Sequence, residues 1–111
     1  MNEERKKITR EILISLWKVH ILHHAGKEPV VGQWMLQELR RHGYEVSPGT
    51  MYPLLQRMER NGWLRCVVAA KGGAHARKSY YLTDKGRDVL DIVQAQVEEL
   101  RSEIRRRKRK G

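Results

Sequence analysis

The side chains of this 111-residue sequence that could do chemistry fall into a few small groups. His20, His23 and His24 share one stretch, with His20 and His24 spaced four apart. On a helix that spacing puts two imidazoles on one face, which can begin a metal site, and histidine titrates near neutral pH. No Asp, Glu or Cys clusters beside them in the sequence, so they read as a partly buried histidine set, and no metal or cofactor is expected. Cys66 is the single cysteine and can form no internal disulfide. It shares strand parity with Leu64, so it should face the core as a small hydrophobe, without a resolving thiol for redox sensing. Gly72 to Ser79 reads G-x-x-x-x-R-K-S, one residue short of a P-loop. Arg77 replaces the second glycine and the segment leads into a strand, so the helix N-terminus that holds phosphate is missing. No Ser/His/Asp set or carboxylate pair stands out, and the chain is not expected to be an enzyme.

A different chemistry, hydrogen bonding to bases and phosphates, is offered between residues 47 and 78. In a helix starting at Ser47, the apolar stripe Met51, Leu54, Leu55 and Met58 turns inward. Thr50, Tyr52, Pro53, Gln56 and Arg60 then lie outward. Gln56 can pair two-pronged with adenine, and Thr50 can touch a thymine methyl or a phosphate. Arg57 and Arg60 can anchor the DNA backbone, while Ser47 and the free amides of the first turn can meet a phosphate. Lys71, His75, Arg77 and Lys78 form a second basic group, with no acidic residue among them. Such a loop suits phosphate contacts or an arginine in the minor groove.

The elements that must position these groups can be read from period and punctuation. A first helix is predicted from Asn2 to His24, on the stripe Ile8, Ile12, Leu16 and Val19 widened by Leu13 and Trp17. Gly26 and Pro29 stop it. A second runs from Val31 to His42 on Val31, Met35 and Leu39, and Gly43 supplies a left-handed cap. After the turn Gly43 to Val46, Ser47 can cap the third helix with its hydroxyl, and Pro48 suits its first position. Pro53 opposes the carbonyl of Gly49, which predicts a tightened first turn or a slight kink. Two helices joined by four residues make a helix-turn-helix.

Beyond Asn61-Gly62 the period changes. Trp63 to Ala70 and Lys78 to Leu82 read as two strands around the basic loop, a wing. Thr83 caps a final helix from Asp84 to about Lys108. On it Leu90, Val93, Val97, Leu100 and Ile104 follow a heptad seam that a second copy of the chain would cover. The expected fold is mainly α with a small two-stranded β wing. Residues 1–83 form a winged helix-turn-helix DNA-binding domain, and residues 84–111 a long C-terminal dimerisation helix with a basic tail. Trp17, Trp34 and Trp63 are assigned to the core or the dimer interface, or to the wall of an effector pocket.

Composition bounds the same reading. With 40% hydrophobic and 32% charged residues, the chain suits one helix-rich soluble domain. It has no apolar run of bilayer length, and its acidic start does not resemble a signal peptide, so a cytoplasmic protein is expected. The net charge is +10, but Arg105 to Lys110 alone supply six of the 23 basic residues. Charge is therefore only a modest pointer towards DNA, and a cationic tail also suits a helix C-terminus.

Ser47-Pro48-Gly49-Thr50-Met51-Tyr52-Pro53-Leu54-Leu55-Gln56-Arg57-Met58-Glu59 resembles the signature of the PadR-like transcriptional regulators. Asn61-Gly62-Trp63-Leu64 and Tyr80-Tyr81-Leu82-Thr83-Asp84-Lys85-Gly86-Arg87 are similar to that family's helix end and wing exit. The resemblance covers about Ile8 to Leu90. It implies a homodimeric repressor of a partly palindromic operator, released by a small molecule, with Ser47, Thr50, Tyr52, Gln56 and Arg77 reading DNA. The short C-terminus resembles the compact branch, some of whose members stack flat ligands on aromatic residues of the last helix. Here residues 84–111 contain no Phe, Trp or Tyr. An architectural or replication-terminator DNA-binding protein, and a winged-helix adaptor binding proteins through its last helix, are the alternatives.

Overall fold

The computed structural model describes residues 2–70, 73 and 76–110. The chain opens with α1 (Glu3–Ile8), a π-helical turn (Thr9–Leu13) and α2 (Ile14–Ala25). Asn2 caps α1 by accepting the Arg5 amide at 2.7 Å. Then follow β1 (Val30–Val31), α3 (Gly32–Arg41), α4 (Pro48–Arg60), β2 (Leu64–Val68), β3 (Lys78–Leu82) and α5 (Asp84–Lys110). The protein is mainly helical, and no helix among the described residues is long and apolar enough to cross a membrane.

Both arms of the expected wing form, joined by a third strand. The sheet order is β1-β3-β2, all antiparallel, with Val30 opposite Tyr80 and Leu64 opposite Leu82. The sequence assigns Val31, next to Val30, to the start of the second helix. As a β-branched pair after Pro29 they instead extend and pair with β3 before α3 begins. On the sheet's inner face Leu64 and Tyr80 are buried, with Cys66 and Leu82 packed against the core.

The core lies where α2, α3, α4 and the sheet meet, and its most deeply buried members include Trp17, Ile21, Met35, Leu39, Met51, Leu55 and Met58. Side chains of that size contribute about 1.5–3 kcal/mol each when fully buried. The stripe expected to hold the first helix is divided: Leu13 and Trp17, which widen it, pack on the core and Val19 is half-buried, but its first three positions turn away. Ile8, Ile12 and Leu16 are exposed, whereas Trp17, Ile21, Leu22 and Ala25 are buried. The helix has two apolar stripes, each with spacings of three or four, and the face carrying Trp17 meets the rest of the chain. The uninterrupted α-helix expected there also contains a π turn, where an i→i+5 pattern replaces i→i+4.

The final helix docks by its first turns. Thr83 donates its hydroxyl to the Gly62 carbonyl and accepts the Gly86 amide at 2.9 Å, so the expected cap also ties α5 to the end of α4. Leu90 is only 3% exposed and belongs to the chain's own core. This removes it from the expected seam, since a side chain already covered by its own domain has nothing left to offer a partner. Val93 is half-buried, while Val97, Leu100 and Ile104 are exposed.

Candidate nucleic-acid interface

Helix α4 carries the proposed reading face. Its stripe Met51, Leu54, Leu55 and Met58 is fully buried, which orients every other position on the helix. Gln56 and Arg60 point outward one turn apart, and Tyr52 sits a turn before Gln56 on the flank towards the wing. Thr50 and Arg57, seven apart, lie on the opposite flank. Tyr52, Gln56, Arg57 and Arg60 are exposed and Thr50 is half-buried.

The N-terminus of α4 differs from expectation in one respect. The Ser47 hydroxyl makes no capping bond and lies 3.3 Å from the Thr50 hydroxyl. The Ser47 carbonyl accepts from both the Thr50 and Met51 amides, at 3.1 and 2.9 Å. That bifurcated bond tightens the first turn, where a tightened turn is expected. With the first turn closed through the backbone, the hydroxyl turns to its neighbour and stays on the exposed rim.

Helix and wing meet in one cleft of about 450 Å³. Tyr52 and Gln56 line it from α4, and Ala76, Arg77, Lys78 and Tyr80 from the wing side. Among the described residues no acidic side chain lines it, and burial pushes the Tyr80 hydroxyl up to about 12, so that group stays neutral. Lys71 and His75, assigned to the same basic loop, lie outside the described residues. Ser47, Thr50, Arg57 and Arg60 do not line this cleft.

Sequence reasoning missed the third wall. Val31, Gly32 and Gln33, at the start of α3, complete the cleft. A Cβ on Gly32 would lie 2.5 Å from Tyr52 Cε1, so the absent side chain at Gly32 is what lets the Tyr52 ring lie there. A glycine opening a helix, where a capping residue is usual, was the available signal. Glu59 was also passed over; its carboxylate accepts the Cys66 amide at 3.3 Å and links α4 to β2.

The remaining groups singled out in the sequence sit away from this cleft. Cys66 is half-buried. Trp17 is buried and Trp63 half-buried, whereas Trp34 is 47% exposed and stands edge-on to His24. His20 and His24 are half-buried on α2. Burial, then the nearby His42, lowers the pKa of His20; burial also lowers that of His24, against the opposing pull of Glu38.

Comparison with known proteins gives a consistent result. The model of the transcriptional regulator PadR-like family matches residues 21–92. The chain is 44% identical over 95 residues to the transcriptional regulator Rv3488 of Mycobacterium tuberculosis, covering 86% of this chain and 88% of that protein. A PadR-like transcription factor from Bacteroides fragilis superposes with a TM-score of 0.75 at 26% identity, over 88% of this chain and 95% of the other. A PadR family regulator from Eggerthella lenta gives 0.69 at 29% identity, over 93% and 94%.

Proposed function

Because this chain belongs to the PadR-like family of transcriptional regulators, we propose that it is a homodimeric repressor of an inverted-repeat operator in double-stranded DNA, relieved by a small-molecule effector. It acts in the cytoplasm and without catalysis. The observation that carries the DNA reading is the shared cleft, where Tyr52 and Gln56 of α4 stand beside Arg77 and Lys78 of the wing. A helix presenting an amide and a phenol can enter the major groove while the adjacent cations hold phosphates. Gln56 and Tyr52 read bases, and Ser47, Thr50, Arg57, Arg60, Arg77 and Lys78 set position on the backbone.

The dimer is supported by apolar side chains that the single chain leaves uncovered. Ile8, Ile12 and Leu16 on the first helical stretch, and Val97, Leu100 and Ile104 on α5, are exposed. Between α2 and α5 lies a cleft of about 600 Å³ whose lining includes Leu16, Val19, Tyr44 and Val97. A two-fold axis through these helices would send two copies of α4 into successive major grooves, and the operator would share that symmetry. The same cleft supports effector relief, since a molecule held there touches both the dimer helices and the turn before α4.

Selection from random genomic fragments, followed by titration of the retained duplex, tests the reading. Gln56→Ala should lose about 1–3 kcal/mol of discrimination at one base pair of each half-site while keeping its salt dependence. Arg77→Ala should weaken operator and random duplex alike and lower the salt slope by about 1 per chain. Equal retention of all fragments by the unaltered protein, or full base discrimination by Gln56→Ala, would sink the base-reading assignment.

A further inference from the structure

Helices α2 and α3 each carry a pair of donor side chains one turn apart. His20 and His24 lie on α2; Glu38 lies on α3, and His42 is the residue that ends it. Residues four apart share a helix face, and the packing of α2 on α3 turns the two pairs towards each other. The three histidines each offer a ring nitrogen, and these nitrogens all lie within 4.8 Å of one another. Glu38 Oε2 is 3.5 Å from His24 Nε2 and 3.3 Å from His42 Nε2.

We propose that His20, His24, Glu38 and His42 form a binding site for one divalent transition-metal ion of the zinc class. Three imidazoles and one carboxylate make the N₃O donor set of a four-coordinate site. Magnesium and calcium prefer oxygen donors and would be poorly served. Bonds of about 2.0–2.2 Å would draw the donor atoms to roughly 3.4 Å apart. Side-chain rotation on two fixed helices supplies that contraction. The surroundings suit the task. Arg41 donates to both Glu38 oxygens, at 3.0 and 2.8 Å, and orients the carboxylate. Tyr44 packs edge-on against His20 and Trp34 against His24. Outer partners that hold ligand side chains in this way tune metal sites generally.

The site's position suggests its use. His42 begins the turn that leads into α4, and Arg40 Nε holds the far end of that turn by donating to the Val46 carbonyl at 3.0 Å. An ion would join this turn to α2, the helix that borders the proposed dimer face. Its binding is independent of the DNA reading and is measured without DNA.

The test is titration of cobalt(II) into the full chain, stripped of metal with a chelator and carrying no polyhistidine tag. The expected result is an intense visible absorption of tetrahedral type, saturating at one ion per chain and bleached by zinc. His20→Ala and His42→Ala should each abolish the saturating band, His23→Ala should leave it unchanged, and Arg41→Ala should weaken affinity about 10- to 100-fold. Weak octahedral absorption alone, no saturation, or a band that survives both His20→Ala and His42→Ala would overturn the proposal. Because the unaltered chain gives the first of these results by itself, a variant that fails to fold does not remove the test.

Discussion

Gly86→Ala is expected to lower the thermal midpoint by about 10 °C or more, at equal protein concentration and followed by far-ultraviolet circular dichroism. Residue propensity alone predicts the opposite sign. Gly86 lies within the first turn of α5, where alanine should gain up to about 1 kcal/mol. In the fold, however, a Cβ there would drive into the Trp63 carbonyl oxygen and meet Leu82 Cδ1 at 2.7 Å. A backbone carbonyl cannot rotate aside as a side chain does. Trp63 O also accepts the Thr83 amide at 3.1 Å, in the same junction where Thr83 binds the Gly62 carbonyl. Relief would lift α5 from the end of α4 and withdraw Leu90 from the core. Overpacking of this kind costs about 3 kcal/mol, and each kcal/mol shifts a domain of this size by about 4 °C. Gly49→Ala is the control, because a Cβ there finds only Ser47 Oγ at 3.8 Å. It should leave the midpoint unchanged or raise it, and a Gly86→Ala chain as stable as this control would refute the close approach.

Val97→Asp should abolish the dimer while leaving the fold of each chain intact. Val97 is 44% exposed in the single chain, so a carboxylate there is still hydrated and costs little. In a two-fold dimer along α5, each copy would instead bury an unpaired charge in an apolar seam, twice per interface. A penalty of only 1.4 kcal/mol per site already weakens association about a hundredfold for the two together. Operator affinity should fall by at least as much, because each chain then holds one half-site without its partner. Sedimentation velocity would show the change in mass and a mobility-shift titration the loss of binding. A variant that remains dimeric, with unaltered operator affinity, would exclude this part of α5 from the interface.

Gly86 also shows how far local signals reach. The buried stripe of α4, the left-handed Gly43 and the strand from Lys78 to Leu82 followed from period and turn chemistry, because each depends on residues a few positions apart. Ser47 had the right type for a cap, but the first turn closes through its carbonyl and its hydroxyl meets Thr50 instead. On the first helix two apolar stripes competed. Periodicity had no means of ranking them until α3, α4 and the sheet were in place. Tyr52 and Gln56 were legible as outward positions, whereas their meeting with Arg77 depended on β1 pairing with β3.

The histidines on α2 give the sharpest division. That His20 and His24 share a helix face is legible along the chain, since a spacing of four and a helical period suffice for that. No cluster of Asp, Glu or Cys accompanies them along the chain, so they read there as a partly buried histidine set. What stands opposite that face depends on how the helices pack. Packing α2 against α3 brings Glu38 and His42 across some 14 to 22 positions of chain, Glu38 to 3.5 Å from His24 and the His42 ring to within 4.8 Å of both histidines. Local chemistry is written in neighbours, whereas a site built from two helices exists only once burial of Trp17, Ile21, Met35 and Leu39 has pressed those helices together.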